Sequence, residues 1–257
     1  MYASLNYSKF GENGSTLIIL HGLFGSSKNW TTFARTLSQN MTVYALDLRN
    51  HGDSPHTETH TLFDLREDLK YFIKNHKIRK PVLLGHSMGG LAVMAFALEY
   101  PEIAQSVIIE DIAPKNYLPL HENEFRALRM DVSKYESRNK IDEEMSEYVK
   151  NKSIRQFLQM NLEKLENGYR WKLNVPVLEN SSCTEEFSEY EGRSFSGPSL
   201  FVSGGLSYYV KESDHAAIKK YFPNADIHVI HDADHWLHHS NAEKFLSLVK
   251  YFLKLDL

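Results

Sequence analysis

The sequence predicts an α/β protein: a mostly parallel central sheet with helices on both faces and an inserted helical cap. Three observations predict it. Short, fully apolar runs such as TLIIL and VIIED have strand length and suit strands buried on both faces. They alternate with longer stretches whose apolar residues recur at helical spacing, the pattern of strand–helix–strand crossovers. Between about Asn116 and Gly197 this alternation stops, and charged, helix-favouring segments replace it.

The elements follow in order. Thr16–Leu20 reads as a buried strand and Asn29–Ser38 as a helix. Thr42–Leu48 is strand-like again. Leu62, Leu65, Leu69, Phe72 and Ile73 then mark one face of a helix, with Thr61 and Asp64 as a capping box at its start. Pro81–Gly85 is a strand, Leu91–Tyr100 an apolar helix and Val107–Asp111 a strand. The middle carries HENEFRALRM, DEEMSEYVKN and SIRQFLQMNLEKL, then the aromatic-bearing GYRWKLNVPVL. Structureless loops of that length are uncommon, and apolar positions recur, so a packed helical cap is expected over 116–196. The core is expected over 1–115 and 197–257. Its second part holds strand Ser199–Gly204, helix Asp214–Phe222, strand Ile227–Ile230 and closing helix Asn241–Leu253. Phe245, Leu248, Val249 and Phe252 of that last helix point inward.

Composition narrows the class. The chain has 257 residues, enough for one domain with an insertion. A net charge of −4 argues against a nucleic-acid or anionic-membrane surface. The lone cysteine, Cys183, allows no intrachain disulfide and reads as an inert thiol. The N-terminus lacks the basic and apolar regions of a signal peptide, and no apolar stretch reaches membrane-spanning length. A cytoplasmic protein, monomer or homodimer, is the expectation, without nucleic-acid or membrane partners.

Gly85-His86-Ser87-Met88-Gly89 fits G-x-S-x-G, and it sits between a strand and a helix. That setting is the nucleophile elbow of the α/β-hydrolase fold. The turn lifts the serine above the sheet and leaves no room for side chains at 85 and 89. With 13 glycines in the chain, chance would produce roughly 0.06 such matches. A serine needs a general base and donors for the oxyanion. The Met88 N–H, at the helix start, is one donor. His21-Gly22-Leu23-Phe24-Gly25 follows the first strand and can turn its amides toward the site. Leu23 is preferred as the second donor, with Phe24 as the fallback and His21 as a bracing residue.

Chain order in this fold is Ser, acid, His. His235, on the loop before the closing helix, is the preferred base. His231 lies too near the strand, and His238 and His239 too near the helix. A metal at His235 and His238 lacks a third ligand. Asp111, at a strand end 24 residues beyond Ser87, is the preferred acid. Asp214 is the runner-up, because Ser207 stands at the other usual acid position. Glu110 points to the opposite face from Asp111. Asp232 and Asp234 are loop residues too close to His235 to orient it. Asp47, Arg49, Asn50, His51 and Gly52 form a polar turn read as bracing the site loops.

HGLFGS, DLRNHGDSPH, GHSMGG, DIAP, RQFLQMNL, WKLNVPVL, GGLSYYV and DHWLH together resemble the YbfF-like esterases, bacterial α/β-hydrolases with mitochondrial relatives. The matches span nearly the whole chain, and DLRNHGDSPH is the most family-specific. The resemblance implies a Ser-Asp-His triad whose acid lies in the DIAP segment, here Asp111. It also implies hydrolysis of short-chain esters and of acyl-CoA thioesters, without a cofactor. One departure is that Asp234 precedes His235 where the family has glycine. A neighbouring carboxylate would raise the His235 pKa.

The expected substrate is a small ester or thioester. Phe24, Phe157, Met160, Trp171 and Trp236 are candidate walls of its pocket, although each cap aromatic could equally serve the cap's own core. A C–C hydrolase, acyltransferase or lyase could use the same triad, since fold does not fix substrate. A ligand-sensing protein with a residual triad is the rival of another class. Epoxide hydrolases and dehalogenases need a carboxylate at the place of Ser87.

Overall fold

The computed structural model describes residues 2–118 and 121–255. Residues 1 and 256–257 of the expected core, and 119–120 of the expected cap, lie outside these. The first half runs β1 (Tyr7–Phe10), β2 (Thr16–Leu20), α1 (Thr31–Leu37), β3 (Thr42–Leu46), α2 (Leu62–Asn75), β4 (Val82–His86), α3 (Met88–Glu99) and β5 (Ser106–Glu110). An excursion follows: α4 (Glu122–Leu128), α5 (Arg138–Met145), α6 (Lys152–Gln159), β6 (Leu162–Lys164), β7 (Tyr169–Trp171) and α7 (Val175–Glu179). The chain closes with β8 (Ser199–Gly204), α8 (His215–Tyr221), β9 (Ala225–Ile230), α9 (Leu237–Ser240) and α10 (Ala242–Phe252).

Seven strands form one sheet in the order β1-β3-β2-β4-β5-β8-β9. All pairings are parallel except β1 with β3. Alternation along the strands builds two cores. Ile18, Leu20, Leu83, Val107, Ile109 and Phe201 pack with the apolar faces of α2 and α3. Leu17, Ile19, Val43, Leu84, Ile108 and Leu200 pack on the other face with Trp30, Phe33, Phe245 and Val249. Burial on both faces is why these strands read as unbroken apolar runs. The capping box of α2 forms as expected, Thr61 and Asp64 exchanging bonds of 3.1 Å.

Two elements depart from the sequence expectation. β1, with the sequence YSKF, is a half-exposed edge strand too short and polar to stand out. The excursion is not purely helical, since β6 and β7 form a hairpin pairing Leu162 with Trp171. Its turn closes at Gly168, at φ 75°, where a Cβ would stand 1.8 Å from the Ser133 carbonyl oxygen. Helix-favouring residues in LEKLEN yield there to that contact. The excursion has its own apolar cluster, including Phe125, Leu128, Ile141, Met145, Leu158 and Leu178, and the ring of Phe24 from the main body enters it.

Candidate active site

The candidate residues gather at the ends of the central strands. β4 runs into Ser87, which sits at φ 51° and ψ −120° as the N-cap of α3. L-residues seldom adopt such angles, and the surroundings must hold them. The Ser87 N–H donates to the Glu110 carbonyl, 3.0 Å away. A Cβ on Gly85 would stand 2.3 Å from the Gly89 carbonyl oxygen, and one on Gly89 2.4 Å from that of Leu20. The two glycines therefore set how tightly the elbow closes.

Asp111 follows β5 and also has positive φ, 51°. Its buried carboxylate meets the His235 ring: Oδ2 lies 2.6 Å from Nδ1. The Gly204 N–H donates to Oδ1 at 2.9 Å, and the Ser207 hydroxyl donates to Oδ2. The Tyr209 N–H in turn donates to the Ser207 oxygen, at 3.3 Å. Tyr209 stacks on His235 with ring centroids 4.0 Å apart. The runner-up, Asp214, sits elsewhere; it accepts from Lys115 Nζ at 2.6 Å and from the Lys211 N–H.

Burial pushes the Asp111 carboxyl up, to about 7, against the pull of the Ser207 and Gly204 donors. Burial pushes His235 down, to about 3, with His121 and His238 adding to the fall. Asp234 does act upward on His235, as its position in sequence implied, but the expected net rise is overturned because desolvation outweighs it. Charge is disfavoured on both partners, so they hold or release a proton as one unit.

A second imidazole–carboxylate pair lies alongside. His238 Nδ1 approaches both Glu110 oxygens, at 2.8 and 2.9 Å, and its N–H donates to the same carboxylate. Successive residues of one strand end thus turn to opposite faces and take His235 of the loop after β9 and His238 of α9. His86 Nε2 donates to the His235 carbonyl at 2.9 Å, so the residue before Ser87 touches the backbone of His235.

The loop after β2 lies against the elbow: a Cβ on Gly22 would stand 3.2 Å from the Ser87 Cβ. The Phe24 N–H is occupied, donating to His51 Nε2 at 3.3 Å. Among the described residues the Leu23 and Met88 amides have no acceptor. His21 braces this loop, donating from Nδ1 to the Gly22 carbonyl and accepting the Leu48 N–H at Nε2. His21, His51 and His60 stand in a buried row with centroids 4.9 and 5.5 Å apart. Burial lowers the pKa of each, that of His60 to about 3. Asp47 gathers the Ser27 and Asp53 amides, and Arg49 grips Asp68 through two bonds.

The aromatic candidates separate. Phe157 and Trp236 meet with centroids 5.7 Å apart, and Trp236 lies edge-on to His235. Met160 is 44% exposed, its sulfur accepting from Asn29. Trp171 bonds the Met130 carbonyl and lines a crevice of about 390 Å³ with Asp53, His56 and Lys172. The Phe24 ring packs edge-on against Phe125 within the excursion's core. Cys183 is buried, which pushes its thiol up to about 12.

A sequence family described as having the alpha/beta hydrolase fold matches residues 15–242. The chain belongs to the α/β-hydrolase family. Within it, this hydrolase is 35% identical to the sn-1-specific diacylglycerol lipase ABHD11 of Danio rerio, across 98% of the chain and 83% of that protein. It is 31% identical to esterase YbfF of Escherichia coli, across 94% of each chain. The solved structure of a marine microorganism esterase superposes with a TM-score of 0.90 at 35% identity, covering 97% of this hydrolase and 99% of that chain. The resemblance to YbfF-like esterases therefore holds along the length of the chain. Among the described residues no helix is long and apolar enough to cross a membrane.

Proposed function

We propose that this hydrolase is a serine esterase that cleaves short- to medium-chain carboxylic esters, and acyl thioesters by the same route. The observation that carries this reading is the 2.6 Å contact of a buried Asp111 with His235 Nδ1, which leaves Nε2 to act on a serine held at a strained elbow. His235 takes the Ser87 proton as the oxygen attacks the carbonyl carbon. The tetrahedral oxyanion is held by the Leu23 and Met88 amides. The carbon–oxygen bond to the alcohol (or carbon–sulfur bond to the thiol) breaks, and His235 returns the proton to that leaving group. Water, deprotonated by His235, then attacks the acyl-enzyme, and the acid leaves as Ser87 regains its proton. Asp111 fixes the ring's tautomer and stabilises its charged form. No step calls for a cofactor.

The 116–196 excursion acts in this reading as the cap, with Phe157 facing Trp236 as the apolar wall beside His235. Esterase YbfF and the marine esterase, similar over nearly the whole chain, support the choice of ester chemistry. The test is a series of p-nitrophenyl esters of rising acyl length together with acyl-CoA thioesters. Turnover is expected to peak at short to medium chains. A fluorophosphonate is expected to label one peptide, the one containing Ser87. Absence of turnover on every ester and thioester would overturn the proposal.

A further inference from the structure

The cap and the loop after β2 meet at Phe24, whose ring enters the cap's apolar cluster. Asn161, between α6 and β6, is 2% exposed. Its side-chain amide donates to the Phe24 carbonyl at 2.7 Å, and more weakly to that of Leu158 at 3.2 Å. The Asn161 carbonyl takes the Lys172 N–H at 2.9 Å, tying it to the hairpin. On the other side the Phe24 N–H donates to His51 Nε2. His51 Nδ1 donates to the Arg49 carbonyl at 2.9 Å, which fixes Nε2 as the acceptor. Phe24 itself stands at φ 63°, a left-handed conformation that a bulky residue leaves unless its surroundings hold it.

We infer that Asn161 of the cap and His51 of the core clamp the backbone of Phe24 from both sides, one at its C=O and one at its N–H, and so hold the neighbouring Leu23 N–H in place as an oxyanion donor. Asn161 is then a positioning residue for the reaction, although it touches no reacting atom. The physical argument is one of over-determination. With either bond gone, Phe24 relaxes toward negative φ, the peptide between Leu23 and Phe24 rotates, and the shift passed back through the Leu23 backbone moves its own N–H, on the preceding peptide, from the elbow that Gly22 abuts. An oxyanion donor acts only where charge develops in the transition state. Its misplacement therefore lowers kcat rather than raising KM. The inference rests on the ester-hydrolysis reading of Ser87.

The test compares wild type with Asn161→Ala, the near-isosteric Asn161→Asp, His51→Phe and the Asn161→Ala/His51→Phe pair. Rates are normalised to sites titrated with a fluorophosphonate, so that an unfolded fraction drops out. Asn161→Ala is expected to lower kcat roughly ten- to a hundredfold, with KM within about threefold of wild type. Asn161→Asp, which sets a carboxylate against a carbonyl, is expected to fall further at neutral pH. Affinity for an alkylboronic acid, whose adduct with Ser87 carries the oxyanion's geometry, is expected to fall in parallel with kcat/KM. The double variant is expected to be no worse than the poorer single, because both bonds restrain the one residue, Phe24. Folded Asn161 variants with wild-type kcat, or a loss of kcat without loss of boronate affinity, would overturn the clamp. A wild type inert toward every ester would instead overturn the reading on which the clamp rests.

Discussion

Ser87→Ala is expected to lower kcat for ester hydrolysis roughly a million-fold, on the order of 8 kcal/mol of barrier, while the protein stays folded. The size follows from the proposed chemistry. Without the hydroxyl there is no acyl-enzyme, and only substrate binding and the oxyanion amides remain to assist water. Folding should be untouched, because alanine keeps the backbone at the same unfavourable angles, φ 51° and ψ −120°. Ser87→Gly is the informative companion. It removes the nucleophile and the backbone strain together, so it should be as inactive and more stable than wild type by about 1 kcal/mol. The measurements are p-nitrophenyl butyrate turnover and thermal melting of both variants. Activity surviving in Ser87→Ala would end the assignment of the nucleophile.

Asp111→Asn is expected to lower kcat about ten-thousand-fold. Asparagine tolerates the left-handed backbone found at 111, so local geometry is retained. An amide cannot stabilise the charged imidazole, and its NH2 favours the wrong tautomer of His235. The same substitution at Asp214, which serves Lys115 and Lys211, should leave kcat near wild type. The acid also governs pH dependence. A carboxyl raised by burial to about 7 is ionised only above that pH. The pair must be free of its proton before His235 can act as base. Wild-type kcat/KM should therefore fall as pH drops through about 7 and level off above it, reporting the Asp111–His235 pair. If Asp214→Asn alone loses kcat, the acid has been misassigned.

Most of the architecture was legible because buried parallel strands are written as apolar runs. Thr16–Leu20 and Ser199–Gly204 match their strands residue for residue. β1 and the β6–β7 hairpin were not, since three or four half-exposed residues carry too little pattern. Chain order and motif brought Ser87, Asp111 and His235 forward as candidates, and the structure sets the last two in contact. The supporting contacts left no such trace. Ser207 was read as standing at the other usual acid position, yet its hydroxyl reaches the preferred candidate, Asp111. Glu110 and His238 are 128 residues apart, and Phe24 and Asn161 are 137 apart. No local spacing encodes bonds that exist only once sheet and cap have closed on each other. Phe24, read as a pocket candidate, shows the same limit: its ring fills the excursion's core, and a lone aromatic reads alike whether it faces substrate or fills a core.

The buried histidines give this protein a built-in sensitivity to acid. His21, His51, His60 and His86 are each at most 4% exposed, and burial lowers the pKa of all four. In the unfolded chain each would bind a proton near pH 6.5, whereas in the folded protein His60 and His86 resist one down to about 3. Stability from this source is complete above about pH 6.5. It drains away below that, by about 1.4 kcal/mol per pH unit for each histidine that the unfolded chain protonates and the folded one does not. Melting temperature should hold level between pH 7 and 8 and fall toward pH 5, with Asp111, raised to about 7, offsetting the loss from one histidine. His60→Gln, which removes one of these groups, should flatten that fall. In mildly acidic surroundings the folded state would thus be weakened, and chains that aggregated on unfolding would not return when the pH rose.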